Sequence, residues 1–123
     1  MKSKKVLLVE DEAITILFLT KVLERLGHSI IAVTARGEEA LDLVKTHEPD
    51  LVIMDIGLAG DVDGIEAAHQ IRRISNVHIL FASGYNNAET LSLTAKIPFT
   101  LFRSKPLGFE NLRDAFDTLS IIE

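Results

Sequence analysis

The chain contains no cysteine and no tryptophan, and a single tyrosine among its 123 residues. Without thiols there can be no disulfide, thiolate metal site or cysteine nucleophile, and the composition fits a reducing, cytoplasmic compartment. An excess of positive charge is also missing. Thirteen Lys and Arg against 18 Asp and Glu leave a net charge of −5, the wrong sign for a domain whose main task is gripping nucleic acid. Nor is there a long hydrophobic run. The opening "MKSKKVLLVEDE" holds the one basic cluster, Lys2, Lys4 and Lys5, which reads as a solvated tail, and acids close its apolar stretch after five residues. It is neither a signal peptide nor a membrane span. Linkers, low-complexity tracts and internal repeats are absent as well. What remains is an ordinary globular balance, 47% apolar and 25% charged, in a chain long enough for one core and too short for two. Residues 1–123 are therefore read as one domain, whether self-standing or part of a longer protein.

Apolar, β-branched runs recur at 5–10, 29–35, 51–55, 77–82 and 99–103. Helical patterns lie between them. The first, from about Ala13 to Leu26, carries Ile14, Leu17, Phe18, Val22 and Leu26 on one stripe, with Gly27 as a stop. A second opens with Gly37 and the acids Glu38 and Glu39, suited to a helix N-terminus, and Pro49 lies beyond its end. Further patterns span 64–74, 87–95 and 108–122, the last with Phe109, Leu112, Phe116 and Leu119 at helical spacing. Short continuous apolar strands alternating with helices predict an α/β, doubly wound, five-stranded parallel sheet covered on both faces. With the flavodoxin-like order 2-1-3-4-5, ligands belong at the carboxyl ends of the strands, between the first and third.

The residues just past each strand then matter most. Glu10 and Asp11 follow the first strand and Asp55 ends the third, so three carboxylates become neighbours. Like charges in one crevice raise one another's proton affinity unless a cation intervenes, and an oxygen-only ligand set suits a hard ion such as Mg²⁺. Ser83 and Gly84 follow the fourth strand with a hydroxyl and an unobstructed backbone N–H; Lys105, fixed by Pro106, follows the fifth. Acids, hydroxyl, N–H and ammonium together suit a phosphoryl group held by metal and lysine against a carboxylate nucleophile. Taken singly, each has a plainer reading. Asp55 could be a turn residue, Glu10 and Asp11 a helix cap, Ser83 a loop hydroxyl and Lys105 a solvated charge. The constellation favours the chemical reading, because four separate strand ends supply the required groups. His28, His47, His69 and His78 show no metal-ligand spacing and read as structural or solvated.

On "LLVEDE", "LVIMDI", "DG" at Asp63–Gly64, "FASGY" and "SKP", in this order, the chain resembles a two-component response-regulator receiver domain over essentially its whole length. The resemblance implies a phosphoacceptor, not an enzyme of turnover, that takes phosphate onto Asp55 from a histidine kinase or phosphotransfer protein. It implies Mg²⁺, with Mn²⁺ able to substitute, on Asp11, Asp55 and the Gly57 carbonyl, with Glu10 helping directly or through water. Lys105, Ser83 and the Gly84 N–H would hold the phosphoryl oxygens, and Phe102 would turn inward as Ser83 moves. A downstream protein would read the face of the fourth helix, fifth strand and fifth helix; neither nucleic acid nor membrane is an implied partner of this domain. A cis Lys105–Pro106 peptide is also implied, as is an in-line water for hydrolysis, positioned from Gly57 and Tyr85. Neither looks suited to orienting water, which predicts slow self-dephosphorylation.

Two features depart from the commonest family pattern. Glu10 stands where many members have Asp, and the loop "IGLAGDVDG" is one residue longer than usual. A haloacid-dehalogenase-type phosphohydrolase would combine similar groups, but it normally takes its nucleophile after the first strand and needs room for a cap. A flavodoxin-like flavin protein would cradle phosphate where "EDE" repels it. The remaining alternative is a receiver-like module that binds partners without phosphorylation, which the presence of every required group disfavours.

Overall fold

Five short strands alternate with five helices: β1 (Lys5–Val9), α1 (Ala13–Arg25), β2 (Ser29–Thr34), α2 (Gly37–His47), β3 (Leu51–Met54), α3 (Gly64–Arg72), β4 (His78–Ser83), α4 (Ala88–Ala95), β5 (Thr100–Ser104) and α5 (Phe109–Ile121). The computed structural model describes residues 3–58, 60–84 and 86–121. All neighbouring strands pair in parallel, in the order β2-β1-β3-β4-β5. The order in which the chain lays down strands reverses between β1 and β3, so the crevice of a doubly wound sheet opens beyond their carboxyl ends.

The strands are apolar at successive positions because both faces are covered. Val6 and Leu8 of β1, Leu51 and Ile53 of β3, and Leu80 and Ala82 of β4 face α1 and α5, which contribute Leu19, Val22, Leu23, Leu112, Ala115, Phe116 and Leu119. The alternate residues Leu7, Val9, Val52, Met54, Ile79 and Phe81 face the other way, toward Ala40 and Val44 of α2 and Ala67, Ala68 and Ile71 of α3. A period of two thus splits one continuous run between two cores.

Helix ends follow local chemistry. Asp63 caps α3 by accepting the Glu66 N–H at 2.9 Å, and Asn87 caps α4 by accepting the Thr90 N–H at 2.8 Å. Gly64 has a tertiary reason: a Cβ there would lie 2.2 Å from the Asp55 carbonyl oxygen. The Asp63–Gly64 pair is therefore a cap followed by a close approach to the segment carrying Asp55.

Three expectations are corrected. The buried stripe of α1 is Leu19, Val22 and Leu23, whereas Ile14 is 82% exposed and Leu17 and Phe18 also face outward. The helix is apolar on more than one side, so periodicity offered two registers and packing selected the second. The third helix stops at Arg72 rather than Ile74, because Ser75 and Ile74 turn back onto the Ile71 carbonyl. Finally, the basic cluster is not a free tail from Lys4 onward. Lys5 begins β1, the Lys4 N–H donates to His28 Nδ1 at 2.9 Å, and Lys2 lies outside the described residues.

A candidate phosphoacceptor and metal site at the sheet edge

The acidic crevice is assembled by the backbone. Glu10 N–H donates to the Thr34 carbonyl at 2.9 Å, carrying the turn after β1 toward β2. Asp55 N–H donates to the Val9 carbonyl at 2.9 Å, which extends the β1–β3 pairing by one residue. These two bonds bring Glu10 and Asp11 against Asp55, although more than forty positions separate them in the sequence. Each of the three carboxylates offers an oxygen lying within 4.8 Å of the other two.

Lys105 arrives from the far side. Its N–H donates to the Ser83 carbonyl at 3.0 Å, continuing the β4–β5 pairing past Ser104, and the Lys105–Pro106 peptide bond is cis. The ammonium lies 2.6 Å from Glu10 Oε1 and 3.6 Å from Asp55 Oδ1. Its nearer partner is thus Glu10, whose extra methylene extends its reach. Glu10 is only 2% exposed, and its second oxygen accepts the Asp11 and Glu12 N–H groups, each at 3.1 Å. Glu10 serves the turn and the lysine rather than capping α1, whose first residue follows Glu12 without a side-chain cap.

Burial, and then the neighbouring Asp55 charge, push the Glu10 carboxyl up, against the Lys105 and Glu12 hydrogen bonds. Burial would lower the Lys105 ammonium, but its hydrogen bond to Glu10 and the Asp55 charge outweigh it and hold the pKa above the usual lysine value. The lysine is therefore a fixed positive charge in this crevice.

Ser83 ends β4 fully buried, while Gly84 is exposed with open space where a Cβ would stand. Gly57 is exposed and meets Asp55 through its N–H, which donates to Oδ1 at 3.3 Å. Phe102 pairs with Phe81 across the sheet and packs, half-buried, against the core beneath α2 and α3. Tyr85 lies outside the described residues. Thus Glu10, Asp11, Asp55 and Lys105 come together directly, Ser83 and Gly84 stand at the adjoining strand end, and Phe102 lies in the middle of β5, back from its carboxyl end.

Two features of the site are not legible in the sequence. A groove of about 480 Å³ runs beside Lys105, lined by Glu12, Ile14, Thr15, Phe18, Pro106 and Leu107; its signal in the sequence is that α1 carries more apolar residues than one stripe needs. Glu38 reaches out of α2 to the loop following Asp55, accepting the Val62 N–H at 3.0 Å; its position in the first turn resembled an ordinary helix-dipole acid.

The sequence and the fold have counterparts among known proteins. Phosphotransferase F of sporulation initiation in Bacillus subtilis is 28% identical over 116 residues, 94% of this chain and 92% of that protein. The transcriptional regulatory protein PdtaR of Mycobacterium tuberculosis is 40% identical over 81 residues, covering 64% of this chain but 39% of PdtaR. Among solved structures, the signal receiver domain of a modulated diguanylate cyclase from Desulfovibrio desulfuricans superposes with a TM-score of 0.86 at 28% identity, covering 99% of this chain and 100% of that one. The PhyR receiver domain of Erythrobacter litoralis gives a TM-score of 0.84 at 28% identity, covering 100% of this chain and 94% of its own. The family model of the response regulator receiver domain matches residues 6–117, the interval that holds the five strands except for Lys5 at the start of β1, and all of the acidic crevice. The chain belongs to the response regulator receiver domains of two-component signalling.

Proposed function

We propose that Asp55 accepts a phosphoryl group from a phosphohistidine of a histidine kinase or phosphotransfer protein, and that residues 1–123 work as one receiver unit. The observation that carries this reading is the Asp55 carboxylate lying 3.6 Å from a lysine ammonium and beside two further acids. A carboxylate oxygen attacks phosphorus, the P–O bond forms as the P–N bond breaks, and the imidazole leaves with the electron pair. The group added carries roughly −1.5 to −2 charge, so the site must supply cations.

Three clustered oxygen donors with no nitrogen or sulfur among them fit Mg²⁺. Asp11, Asp55 and the Gly57 carbonyl would hold it. Both Glu10 oxygens already have partners, which supports a contribution through water. The ion would neutralise charge developing on the phosphoryl oxygens. Manganese, with similar ligand preferences, would substitute. Lys105 would move from Glu10 toward the new phosphoryl oxygens, joined by the Ser83 hydroxyl and Gly84 N–H. Gly57 has no side chain to orient a hydrolytic water, which supports a long-lived phosphoaspartate rather than steady turnover.

The donor would approach along the groove beside Lys105. Its apolar wall of Ile14 and Phe18 suits a protein surface, since contiguous exposed apolar patches mark interaction sites. The downstream partner would read α4, β5 and α5. On that face α4 is short, buries only Thr94 among its residues, and exposes Leu91 and Leu93. Inward movement of Ser83 and Phe102 would bias the position of α4, selecting one of two arrangements. No helix of the described residues is long and apolar enough to cross a membrane.

Incubation with a small-molecule phosphodonor and Mg²⁺ should add one acid-stable, base-labile phosphoryl group per chain, detected by intact mass. Asp55→Asn should add none. Undiminished labelling of that variant would overturn the assignment, and no labelling of the wild type would favour a binding module that works without phosphorylation.

A further inference from the structure

Asp55 is joined to α3 by a loop that must hold Gly57 in place yet makes its firmest contacts at its two ends. Ile56 and Leu58 are buried at the start, and Gly64 N–H returns to the Ile56 carbonyl at 3.0 Å at the end. Between those ends the loop exposes Gly60 and Asp61. There it meets α2 instead. Glu38 Oε1 accepts the Val62 N–H at 3.0 Å, while Oε2 is gripped by Arg36 Nε at 2.8 Å and Nη2 at 2.7 Å. The carboxylate is therefore held like a fork, one oxygen for the guanidinium and one for the loop.

The glycines show how close this contact is. A Cβ on Gly37, the residue before Glu38, would lie 2.5 Å from the Val62 carbonyl oxygen. Gly60 has φ +98°, a region side chains rarely adopt, and a Cβ there would meet Glu38 Oε1 at 3.1 Å. Two bare backbone positions thus let the loop and the first turn of α2 touch. The Val62 N–H is also the foremost reason the Glu38 carboxyl sits below its usual range, ahead of the weaker Arg36 contribution.

We propose that Glu38 is a positioning residue that clamps the loop after Asp55 from α2 and thereby sets the placement of Gly57 for the metal. The proposal rests on the reading of Asp55, Asp11 and Gly57 as the Mg²⁺ site. Glu38 never touches the reacting atoms. It acts through the backbone at Val62, five residues beyond Gly57, by removing the freedom of the segment between two fixed ends.

The test is Mg²⁺ binding by calorimetry on the unphosphorylated chain, with amide exchange of Val62 and thermal melting measured alongside. In Glu38→Ala the Val62 amide should exchange faster, and Mg²⁺ affinity should fall on the order of tenfold, the lower end of what lost outer support costs a metal site. Its melting temperature without Mg²⁺ should stay close to wild type, since Glu38 is partly exposed and belongs to neither apolar core. Glu38→Gln keeps an oxygen for the Val62 N–H and should restore Mg²⁺ affinity. Gly37→Ala, which intrudes on Val62 from below, should weaken binding as Glu38→Ala does. Unchanged Mg²⁺ affinity in Glu38→Ala, with wild type binding normally, would overturn the clamp and leave the phosphoacceptor reading standing. Failure of the wild type to bind Mg²⁺ would instead remove the site on which the clamp acts.

Discussion

His28 illustrates how a residue without catalytic spacing becomes a structural determinant. It is 4% exposed, its ring stacks on Phe116 at 4.3 Å, and its Nδ1 accepts the Lys4 N–H. That acceptor role requires the neutral ring with the proton on Nε2, which finds no partner among the described residues. Burial first, and the Lys4 charge second, lower its pKa below the ordinary 6.5. The unfolded chain therefore binds this proton more readily than the folded one. Stability from this residue is fully present above pH 6.5 and is lost as pH falls through the folded value. Urea unfolding at descending pH should show a steeper loss for wild type than for His28→Phe, which stacks but cannot titrate. Parallel pH profiles would show that His28 is not linked to folding.

At the scale of elements, α1 separates stability from recognition along one helix. Leu23 is fully buried between the sheet and α5, whereas Phe18 is 48% exposed on the groove side. Leu23→Ala should cost about 2–5 kcal/mol by cavity formation, while Phe18→Ser should stay within about 0.5 kcal/mol of wild type. If the groove receives the phosphodonor protein, Phe18→Ser should slow phosphorylation from that protein and leave labelling by a small phosphodonor unchanged. Equal slowing with both donors would place Phe18 in the chemistry instead, and no slowing with either would remove α1 from donor recognition. α5 offers the contrast: Leu112, Phe116 and Leu119 lie in the core and Phe109 packs against it, as their spacing predicts, because its opposite face is polar and leaves only one register.

For the whole molecule, the acidic crevice is a charge problem that folding creates. Unfolded, Glu10 and Asp11 lie more than forty positions from Asp55; folded, the nearest oxygens of all three lie within 4.8 Å, with one ammonium among them. A divalent cation that binds only the folded state should therefore stabilise it by mass action. At ten times its dissociation constant the gain is about 1.4 kcal/mol, which for a domain of this size raises Tm by about 4–8 °C. Mg²⁺ should produce such a rise in wild type and little or none in Asp11→Asn. An equal rise in both would locate the ion elsewhere.

The sequence by itself determined the sheet, the order of its elements and the groups at its edge. Buried parallel strands read as continuous apolar runs, and the residues that follow them are exposed to the crevice whatever the details of packing. Asp55, Lys105 and Ser83 were legible for that reason: each lies at a strand end, where backbone pairing alone fixes position. What only the tertiary structure decided concerns residues whose partners come from distant segments. The buried face of α1 depended on where β1 and α5 lie, because an all-round apolar helix fits two registers. Lys105 binding Glu10 more closely than Asp55 depended on one methylene and on two N–H groups fixing the other oxygen. Glu38 reaching Val62 depended on two glycines letting backbone approach backbone. Periodicity records which residues avoid water; it carries no information on which side chain a long, charged arm will meet across the fold.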